Sequence, residues 1–255
     1  HQNGVRLGVT RCIGMEHMNA DYANTLGIGV RNITYSPASV ADYAIMMMLM
    51  VLRHIKPILL RSLGQDFSQV GFRGRELPNM TVGIIGAGRI GQTVAAHLSG
   101  FGCKVLYWNR TPKDTIAAEY RPLDDLLKEC DIISLHLTAN DETYHFMDAE
   151  KFAKMKPGSV LINTARGDLV DNEALRQALL EGRIAGAGLD TLSPEPVPAG
   201  HPLTALPPEI QRKVVLAPHL GGITEASFRR AHAHMWRNVE HLAAGERPDN
   251  IVNGL

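Results

Sequence analysis

The strongest constraint on the fold is a regular alternation of short β-rich runs and helical patterns that begins near Thr81. The β-rich runs lie at Val82–Ile85, Val105–Trp108, Ile132–Leu135, Val160–Ile162, Ala187–Leu189 and Val214–Leu216. Helical patterns separate most of these runs, at Ile90–Leu98, Leu123–Glu129, Asp148–Met155 and Asn172–Glu181. Several runs are apolar on both faces, which is typical of a parallel sheet covered by helices on each side. The alternation therefore predicts an α/β fold with a doubly wound parallel sheet.

The composition excludes several classes of protein. Of the 255 residues, 45% are apolar and 20% are charged, as in an ordinary globular protein rather than a disordered one. Lysine plus arginine and aspartate plus glutamate number 26 each, so no net charge attracts nucleic acid or an anionic membrane. The three cysteines, Cys12, Cys103 and Cys130, lack the spacing of a metal site. We expect reduced thiols, a cytoplasmic location, no metal, and neither nucleic acid nor membrane as a partner.

A glycine-rich turn follows the first strand of the alternation and opens a helix. Residues 86–91 read GAGRIG, a GxGxxG motif placed between a strand and a helix. In that context Gly86 allows a tight turn, Gly88 lets the backbone approach a pyrophosphate, and Gly91 lets helix and strand pack closely. The helix N-terminus, with Arg89 and Ile90, faces the anion. The turn therefore predicts a dinucleotide-binding domain of the Rossmann type.

The end of the second strand bears on which dinucleotide binds. An NAD-binding domain usually ends this strand in an acidic residue that holds the ribose 2′-hydroxyl group. Here the strand is followed by Asn109, Arg110 and Thr111. Asparagine has no charge to repel a 2′-phosphate, and the guanidinium group of Arg110 could pair with one. NADP(H) is therefore favoured over NAD(H); the alternative is that Arg110 is a solvated surface charge.

Three residues whose side chains can bind a carboxylate or transfer a proton each follow a predicted strand. Arg166 follows the fourth run, Glu195 lies in the loop after the fifth, and His219 follows the sixth. Because the carboxyl ends of parallel strands share one edge of the sheet, we expect these side chains to converge there.

The three side chains suit hydride transfer to a 2-keto acid. Arg166 can clamp a substrate carboxylate, and His219 can donate a proton to the carbonyl oxygen. An ionised Glu195 beside His219 would favour the imidazolium form. Asp190, at the end of its strand, could instead hydrogen-bond the nicotinamide amide. The other histidines show no metal-ligand spacing, and no GxSxG motif supports nucleophilic hydrolysis.

Together, these motifs resemble the NAD(P)-dependent D-2-hydroxyacid dehydrogenase family. The matching stretches are residues 82–91, 163–167, 189–196, 217–219 and 250–253. The resemblance implies a catalytic triad of Arg166, Glu195 and His219 and a two-domain subunit with its site in the cleft. It also implies a homodimer, with a Ser36–Leu60 helix and the segment after it as the contact. Further cofactor-binding residues implied by the resemblance are Leu137, Thr138, Thr143, Thr164, Ala165, Asp190 and His219.

Within the family, residues 11–14 and 34–43 look most like D-lactate dehydrogenases, especially those that accompany glycopeptide resistance. That resemblance implies that the amides around Ile13 and Gly14 hold the substrate carboxylate and that Tyr35 closes the pocket. The implied reaction is reduction of pyruvate, or another small 2-keto acid, to the D-2-hydroxy acid. The alternatives are a hydroxypyruvate or glyoxylate reductase, and a non-catalytic NAD(H)-sensing interaction protein on the same scaffold.

Three features depart from the family pattern. Thr138 stands where the family usually has proline, Asn109 replaces the usual aspartate, and the opening βα units of the substrate domain are absent. We therefore expect residues 46–222 to form the dinucleotide-binding domain. Residues 1–45 and 223–255 would then form a partial flavodoxin-like substrate domain whose N-terminal part is missing.

Overall fold

The computed structural model of the chain describes residues 4–10, 14–15, 18–33, 36–246 and 252–253. The chain divides into two compact units, one formed by residues 37–221 and the other by residues 1–36 and 222–255. The predicted domain boundary at residue 46 lies nine residues inside the first of these units. The assignment of cofactor and substrate roles to the two parts of the chain stays a prediction.

The described strands follow one another along the chain as short parallel elements. They are β1 (Leu7–Val9), β2 (Gly29–Arg31), β3 (Thr81–Ile85), β4 (Lys104–Trp108), β5 (Glu119–Tyr120), β6 (Ile132–Leu135), β7 (Ser159–Asn163), β8 (Ile184–Leu189) and β9 (Val214–Leu216). Within residues 37–221, all of which are described, the last seven strands form one sheet in the order β5-β4-β3-β6-β7-β8-β9. Every pairing in that sheet is parallel. The strand order reverses beside β3, so that the ligand-binding crevice of such a sheet is expected at the carboxyl end of β3.

Helices occupy the connections between the strands. The described α-helices are α1 (Ala20–Thr25), α2 (Ala38–Leu52), α3 (Ile55–Leu63), α4 (Arg89–Ser99), α5 (Leu123–Glu129), α6 (Ala149–Lys154), α7 (Asn172–Leu180), α8 (Pro208–Gln211) and α9 (Glu225–Ala243). Two apolar clusters contain buried side chains of both strands and helices: one includes residues of α5 and α7, and the other includes residues of α2 and α4. Strands β6 and β7 are buried along their whole length. This two-sided burial explains why their sequences are apolar without alternation.

The predicted doubly wound sheet is confirmed. The predicted runs at Ile132–Leu135 and Val214–Leu216 coincide with β6 and β9, and the other predicted strands of the large sheet extend by one to three residues beyond their apolar runs. The two-residue strand β5 and the four-residue helix α8 were not predicted. Both are too short to produce a periodic pattern of apolar residues.

The expected single helix from Ser36 to Leu60 is wrong, because two helices cover this segment. Helix α2 ends at Leu52, His54 adopts a left-handed conformation with φ of 54°, and α3 begins at Ile55. The break has a covalent cause: Pro57 has no N–H to donate to the Arg53 carbonyl, and its ring would clash with that group in a continuous helix. Lys56 then anchors α3, since its Nζ donates to the carbonyl oxygens of Gln211 and Val214 at 2.8 Å each.

No single described helix has both the length and the apolar character needed to cross a membrane, whereas α2 and α3 taken together do, with a 69° bend between them.

The smaller unit contains a parallel pair of strands and the longest described helix. Strand β1 pairs with β2, and α1 connects them. The side chain of Asn253 extends this pairing, because its amide oxygen accepts from the Val30 N–H and its amide nitrogen donates to the Ile28 carbonyl, both at 2.9 Å. Helix α9 begins with a capping box between Thr224 and Ser227.

Candidate active site

The predicted site residues of the larger unit lie in the loops that follow the strands of the sheet. The glycine turn follows β3, Asn109 follows β4, Arg166 follows β7, Asp190 follows β8 and His219 lies three residues beyond β9. The parallel pairing places all of these loops at the same edge. This arrangement is the one in which open α/β sheets bind their ligands.

The glycine turn has the geometry of a pyrophosphate cradle. Gly86 has φ of +104°, and a Cβ there would lie 2.6 Å from the His136 carbonyl oxygen. A Cβ on Gly91 would lie 2.0 Å from the Gly86 carbonyl oxygen, so that only glycine permits this approach of helix and strand. By contrast, a Cβ on Gly88 would meet nothing within 4 Å. Open space at Gly88, in front of the helix that begins at Arg89, therefore fits the approach of a pyrophosphate.

Two further observations test whether the residues fit a dinucleotide. Gly88 provides no side-chain cap for the N-terminus of α4, the end of a helix that favours an anion. At the end of β7, the Oγ1 atom of Thr164 is buried and has no hydrogen-bond partner. A polar ligand could satisfy such an atom after a small movement of the chain. The residues present thus fit the group that the glycine turn predicts.

The side chain of Asn109 forms a hydrogen bond with the glycine turn itself. Its Oδ1 atom accepts from the Ala87 N–H at 3.0 Å, and its Nδ2 atom donates to the Thr111 carbonyl oxygen at 2.8 Å. The side chain thus ties the loop after β4 to the turn after β3. Its position in the sequence predicted a residue facing the cofactor ribose, and these two bonds show how the side chain also orders the turn.

Arg110 forms an ion pair that sequence reasoning did not anticipate. Its Nη1 atom lies 2.6 Å from Oε2 of Glu142, and both side chains are more than 70% exposed. Glu142 belongs to the loop after β6, whereas Arg110 belongs to the loop after β4. Strand β3 lies between β4 and β6, so the pair joins the two loops that flank the glycine turn.

The loop after β6 is held by hydrogen bonds of its own. Thr143 Oγ1 donates to the Thr138 carbonyl oxygen at 2.7 Å, and the Asn140 N–H donates to Thr143 Oγ1 at 2.9 Å. These bonds fix the loop that begins with His136 and Leu137. Thr138 stands where a family proline is expected, and here its carbonyl group anchors the loop.

His136 is a partly buried residue of this edge that the sequence did not single out. Its ring Nε2 atom lies 2.9 Å from Ser134 Oγ, and its backbone N–H donates to the Ile85 carbonyl oxygen at 2.7 Å. Burial lowers the pKa of His136 to about 4. The imidazole is therefore neutral at physiological pH. A polar residue directly after a buried strand was the signal available in the sequence.

Glu195 and His219 meet although 24 residues separate them. His219 Nδ1 lies 2.9 Å from Glu195 Oε2, and about 40% of each side chain is exposed. The second carboxylate oxygen of Glu195 accepts from the Leu192 N–H at 3.3 Å. The carboxylate therefore engages the Nδ1 edge of the imidazole ring, which leaves Nε2 on the opposite side of the ring.

Arg166 lies in a tight turn that Asn163 stabilises. The buried amide of Asn163 donates to the Arg166 carbonyl oxygen at 2.8 Å and accepts from the Ala165 N–H at 3.0 Å. Arg166 Nη1 donates to the Ala165 carbonyl oxygen at 2.7 Å. A Cβ on Gly167 would lie 2.2 Å from the Leu192 carbonyl carbon. Glycine at this position therefore lets the loop with Arg166 pack directly on the loop with Glu195.

Asp190 holds the backbone of the loop that contains His219. Its carbonyl oxygen accepts from the His219 N–H, and its two carboxylate oxygens accept from the N–H groups of Leu220 and Gly221, each at 2.7 Å. Asp190 is 1% exposed, and His219 adopts a left-handed conformation with φ of 59°. A non-glycine residue in this conformation is strained unless its surroundings hold it there.

The charge of Asp190 also affects a neighbouring side chain. Burial, and next the negative charge of Asp190, raises the pKa of Tyr43 above its ordinary value. Both effects disfavour the phenolate, so that the phenol group of Tyr43 stays protonated and neutral. Neither Tyr43 nor the hydrogen bonds of the Asp190 carboxylate followed from the sequence pattern.

The predicted substrate-binding residues of the smaller unit are only partly described. Ile13 and Tyr35 lie outside the described residues, whereas Gly14 lies within them. The roles of all three residues stay predictions.

The lowered pKa of His136 predicts a dependence of stability on pH. Its folded pKa of about 4 lies below the ordinary value of an unfolded histidine, about 6.5. Between these values the unfolded chain binds more protons, so that stability falls as the pH falls through this window. We expect His136→Gln to reduce the slope of unfolding free energy against pH between pH 6.5 and 4.5, a contribution of at most about 1.4 kcal/mol per pH unit.

The measurement is urea unfolding at a series of pH values. The exposed His232, substituted as His232→Gln, is the matched control and should leave the slope near that of the parent chain. An unchanged slope in His136→Gln would contradict the assignment of a neutral, buried imidazole.

Comparison with known proteins agrees with the geometry of the glycine turn and the sheet. The family model of the D-isomer specific 2-hydroxyacid dehydrogenase NAD-binding domain matches residues 45–221. A D-specific alpha-keto acid dehydrogenase of Enterococcus faecium is 40% identical over 234 residues, which cover 89% of this chain and 72% of that protein. A glyoxylate reductase of Thermococcus litoralis is 40% identical over 253 residues, covering 94% of this chain and 75% of the other.

Solved structures give the same result. The D-lactate dehydrogenase of Aquifex aeolicus, solved with NAD and lactic acid, superposes with a TM-score of 0.87 at 35% identity. The superposition covers 98% of this chain and 80% of that structure. The chain belongs to the D-isomer specific 2-hydroxyacid dehydrogenase family and contains its NAD-binding domain.

Proposed function

We propose that this oxidoreductase reduces a small 2-keto acid to the D-2-hydroxy acid, with pyruvate to D-lactate as the reaction that it supports best. The observation that carries the proposal is the pairing of His219 Nδ1 with Glu195 Oε2 at 2.9 Å. This pair lies at the same sheet edge as the glycine turn. A proton donor and a dinucleotide cradle at one edge are what reduction of a carbonyl group requires.

His219 is the proton donor in this proposal. Because Glu195 engages Nδ1, Nε2 is the nitrogen that gives its proton to the carbonyl oxygen of the substrate. The carboxylate of Glu195 keeps the ring in one orientation through its contact with Nδ1. The backbone bonds from Asp190 hold the residue where the ring can act.

Arg166 binds the carboxylate group of the substrate in this proposal. Its guanidinium group is always charged and offers paired donors that match a carboxylate. The turn stabilised by Asn163 presents it beside the loop of Glu195, which supports a position near the proton donor. We also assign Ile13, Gly14 and Tyr35 to the substrate pocket, on the resemblance to D-lactate dehydrogenases.

The cofactor is held by the glycine turn and the loops beside it. When bound, the reduced nicotinamide supplies the hydride that the carbonyl carbon receives. Gly86, Gly88 and Gly91 shape the cradle, and the N-terminus of α4 faces the pyrophosphate. The other residues that we assign to the cofactor are Arg89, Ile90, Asn109, Arg110, Thr111, Leu137, Thr138, Thr143, Thr164, Ala165, Asp190 and His219.

NADP(H) is proposed as the preferred dinucleotide. Support comes from the replacement of the usual acidic residue by Asn109 and from the guanidinium group of Arg110 directly after it. A 2′-phosphate would form a charge-assisted pair with Arg110, whereas no carboxylate at position 109 would repel it.

A glyoxylate or hydroxypyruvate reductase is the second candidate. The similarity to the glyoxylate reductase of Thermococcus litoralis, at 40% identity, favours it. The proton donor and the carboxylate clamp would act in the same way on either substrate. The choice therefore depends on the pocket for the substrate side chain. We also propose a cytoplasmic location, which the free thiols of Cys103 and Cys130 support.

A homodimer is proposed, with α2, α3 and the segment after them as the contact. An apolar groove along this face is lined by Ile45, Met46, Leu49, Met50 and Ile58, among others. Nearby, Leu63, Phe67 and Val70 are more than 70% exposed. An apolar surface of this kind is typical of a protein interface.

The dimer is tested by sedimentation equilibrium of the chain. We expect a mass twice that of one chain, and Leu63→Asp should weaken the association, because it places a charge in a desolvated contact. A monomer at micromolar concentration would contradict this part of the proposal.

The function is tested by oxidation of NADPH and NADH with pyruvate, 2-ketobutyrate, 2-ketoisocaproate, glyoxylate and hydroxypyruvate. We expect turnover with at least one small keto acid and the D-enantiomer as product. His219→Ala should lower kcat by about 100-fold or more, because it removes the general acid. Binding of NADPH, followed by its fluorescence, should change little in this variant.

Glu195→Gln serves as the companion variant, because it keeps the hydrogen-bonding shape but removes the charge beside His219. We expect kcat to fall with little change in KM. If the folded protein turns over none of the keto acids, the enzymatic function is wrong. If His219→Ala loses cofactor binding together with turnover, the role as proton donor is wrong.

A further inference from the structure

The ion pair between Arg110 and Glu142 lies where the adenosine end of a dinucleotide is expected. The pair joins the loops after β4 and β6, which flank the glycine turn after β3. In Rossmann-type domains the residue at the end of the second strand faces the adenosine ribose. Here that residue, Asn109, uses its amide oxygen on Ala87 and its amide nitrogen on Thr111. Arg110, the next residue, and its partner Glu142 place two opposite charges close to this position.

We propose that Glu142 is a specificity-determining residue that limits the preference for NADP(H) over NAD(H). The inference rests on the proposed function, in which Arg110 binds the 2′-phosphate. Glu142 acts on that interaction in two ways. It neutralises Arg110 when no phosphate is present, and its own charge lies where a 2′-phosphate would experience repulsion.

The ion pair gives each cofactor a different cost of binding. NADH carries a neutral 2′-hydroxyl group, so that it binds while Arg110 and Glu142 stay paired. NADPH must draw Arg110 away from Glu142, after which the carboxylate remains unpaired near a doubly charged phosphate. Glu142 thus supplies, from the loop after β6, a negative charge that the family usually places at the end of the second strand.

The exposure of the pair sets the size of the effect. Both side chains are more than 70% exposed, so that water and salt screen their attraction, and NADPH can break the pair. The charge of Glu142 therefore tunes the preference rather than abolishing binding of either cofactor. Removing this charge should raise the affinity for NADPH relative to NADH by about three- to tenfold at low salt.

Direct binding measurements test this inference without turnover. Dissociation constants of NADPH and NADH are measured by nicotinamide fluorescence for the parent chain, Glu142→Gln, Arg110→Ala and the double variant. The matched control is Glu150→Gln. Glu150 is also exposed, at 75%, and forms an ion pair at 2.8 Å, but its partner is Lys154 and not Arg110. Glu142→Gln and Glu150→Gln each raise the net charge of the chain by one, so that they differ only in where the charge is removed.

We expect Glu142→Gln to bind NADPH more tightly with NADH nearly unchanged, and Glu150→Gln to leave the ratio unchanged. The gain should shrink in the Arg110→Ala background and at high salt. An unchanged or lowered NADPH preference in Glu142→Gln would overturn the inference. So would a gain that persists undiminished without Arg110. If no keto acid is reduced, the proposed function fails, but these binding ratios still decide the role of Glu142.

Discussion

The arrangement of the site depends on the hydrogen bonds that Asp190 makes to three successive N–H groups. Its carbonyl oxygen and both carboxylate oxygens accept from His219, Leu220 and Gly221 at 2.7 Å. Hydrogen bonds to an ionised and buried acceptor are stronger than neutral ones. They offset the cost of the left-handed backbone at His219, which is of order 1–3 kcal/mol. The position of the imidazole is therefore set by the residue that directly follows β8, an internal strand of the sheet, rather than by its own loop.

The other half of the site depends on close approach of two backbones. Gly167 lets the loop after β7 contact the Leu192 backbone, and Leu192 in turn donates to Glu195. The chain thus places Arg166 and Glu195 on loops that pack directly on each other. Asn163 closes the first of these loops, and Asp190 also donates its N–H to the Asn163 carbonyl oxygen at 2.9 Å. The residues that end or follow the adjacent strands β7 and β8 therefore hold the loops of all three residues of the proposed triad.

Much of this arrangement could be predicted from the sequence, because all strands of a parallel sheet end at the same edge and the loops that follow them therefore lie together. Apolar runs such as Ile132–Leu135 identified the strands, and the rule for parallel sheets then brought Glu195 and His219 to one edge. The contact between Arg110 and Glu142 could not be predicted, since it depends on the path of an irregular loop. The bonds from Asp190 were missed for a similar reason: a carboxylate at a strand end can face a ligand or a neighbouring backbone, and residue type does not decide between them. The break before Ile55 was missed although Pro57 was a visible signal.

The effect of Asp190→Asn on turnover and on cofactor binding, measured in the same preparation, tests most directly whether Asp190 positions His219. Asparagine keeps the shape of the side chain but turns an N–H group toward a backbone donor. The position of His219 should then be lost while the glycine turn is unaffected. We expect kcat to fall by about 100-fold, whereas the dissociation constant of NADPH changes much less, because Asp190 is only one of the many residues assigned to the cofactor. Turnover near that of the parent chain, or a loss of NADPH affinity in proportion to the loss of turnover, would contradict it.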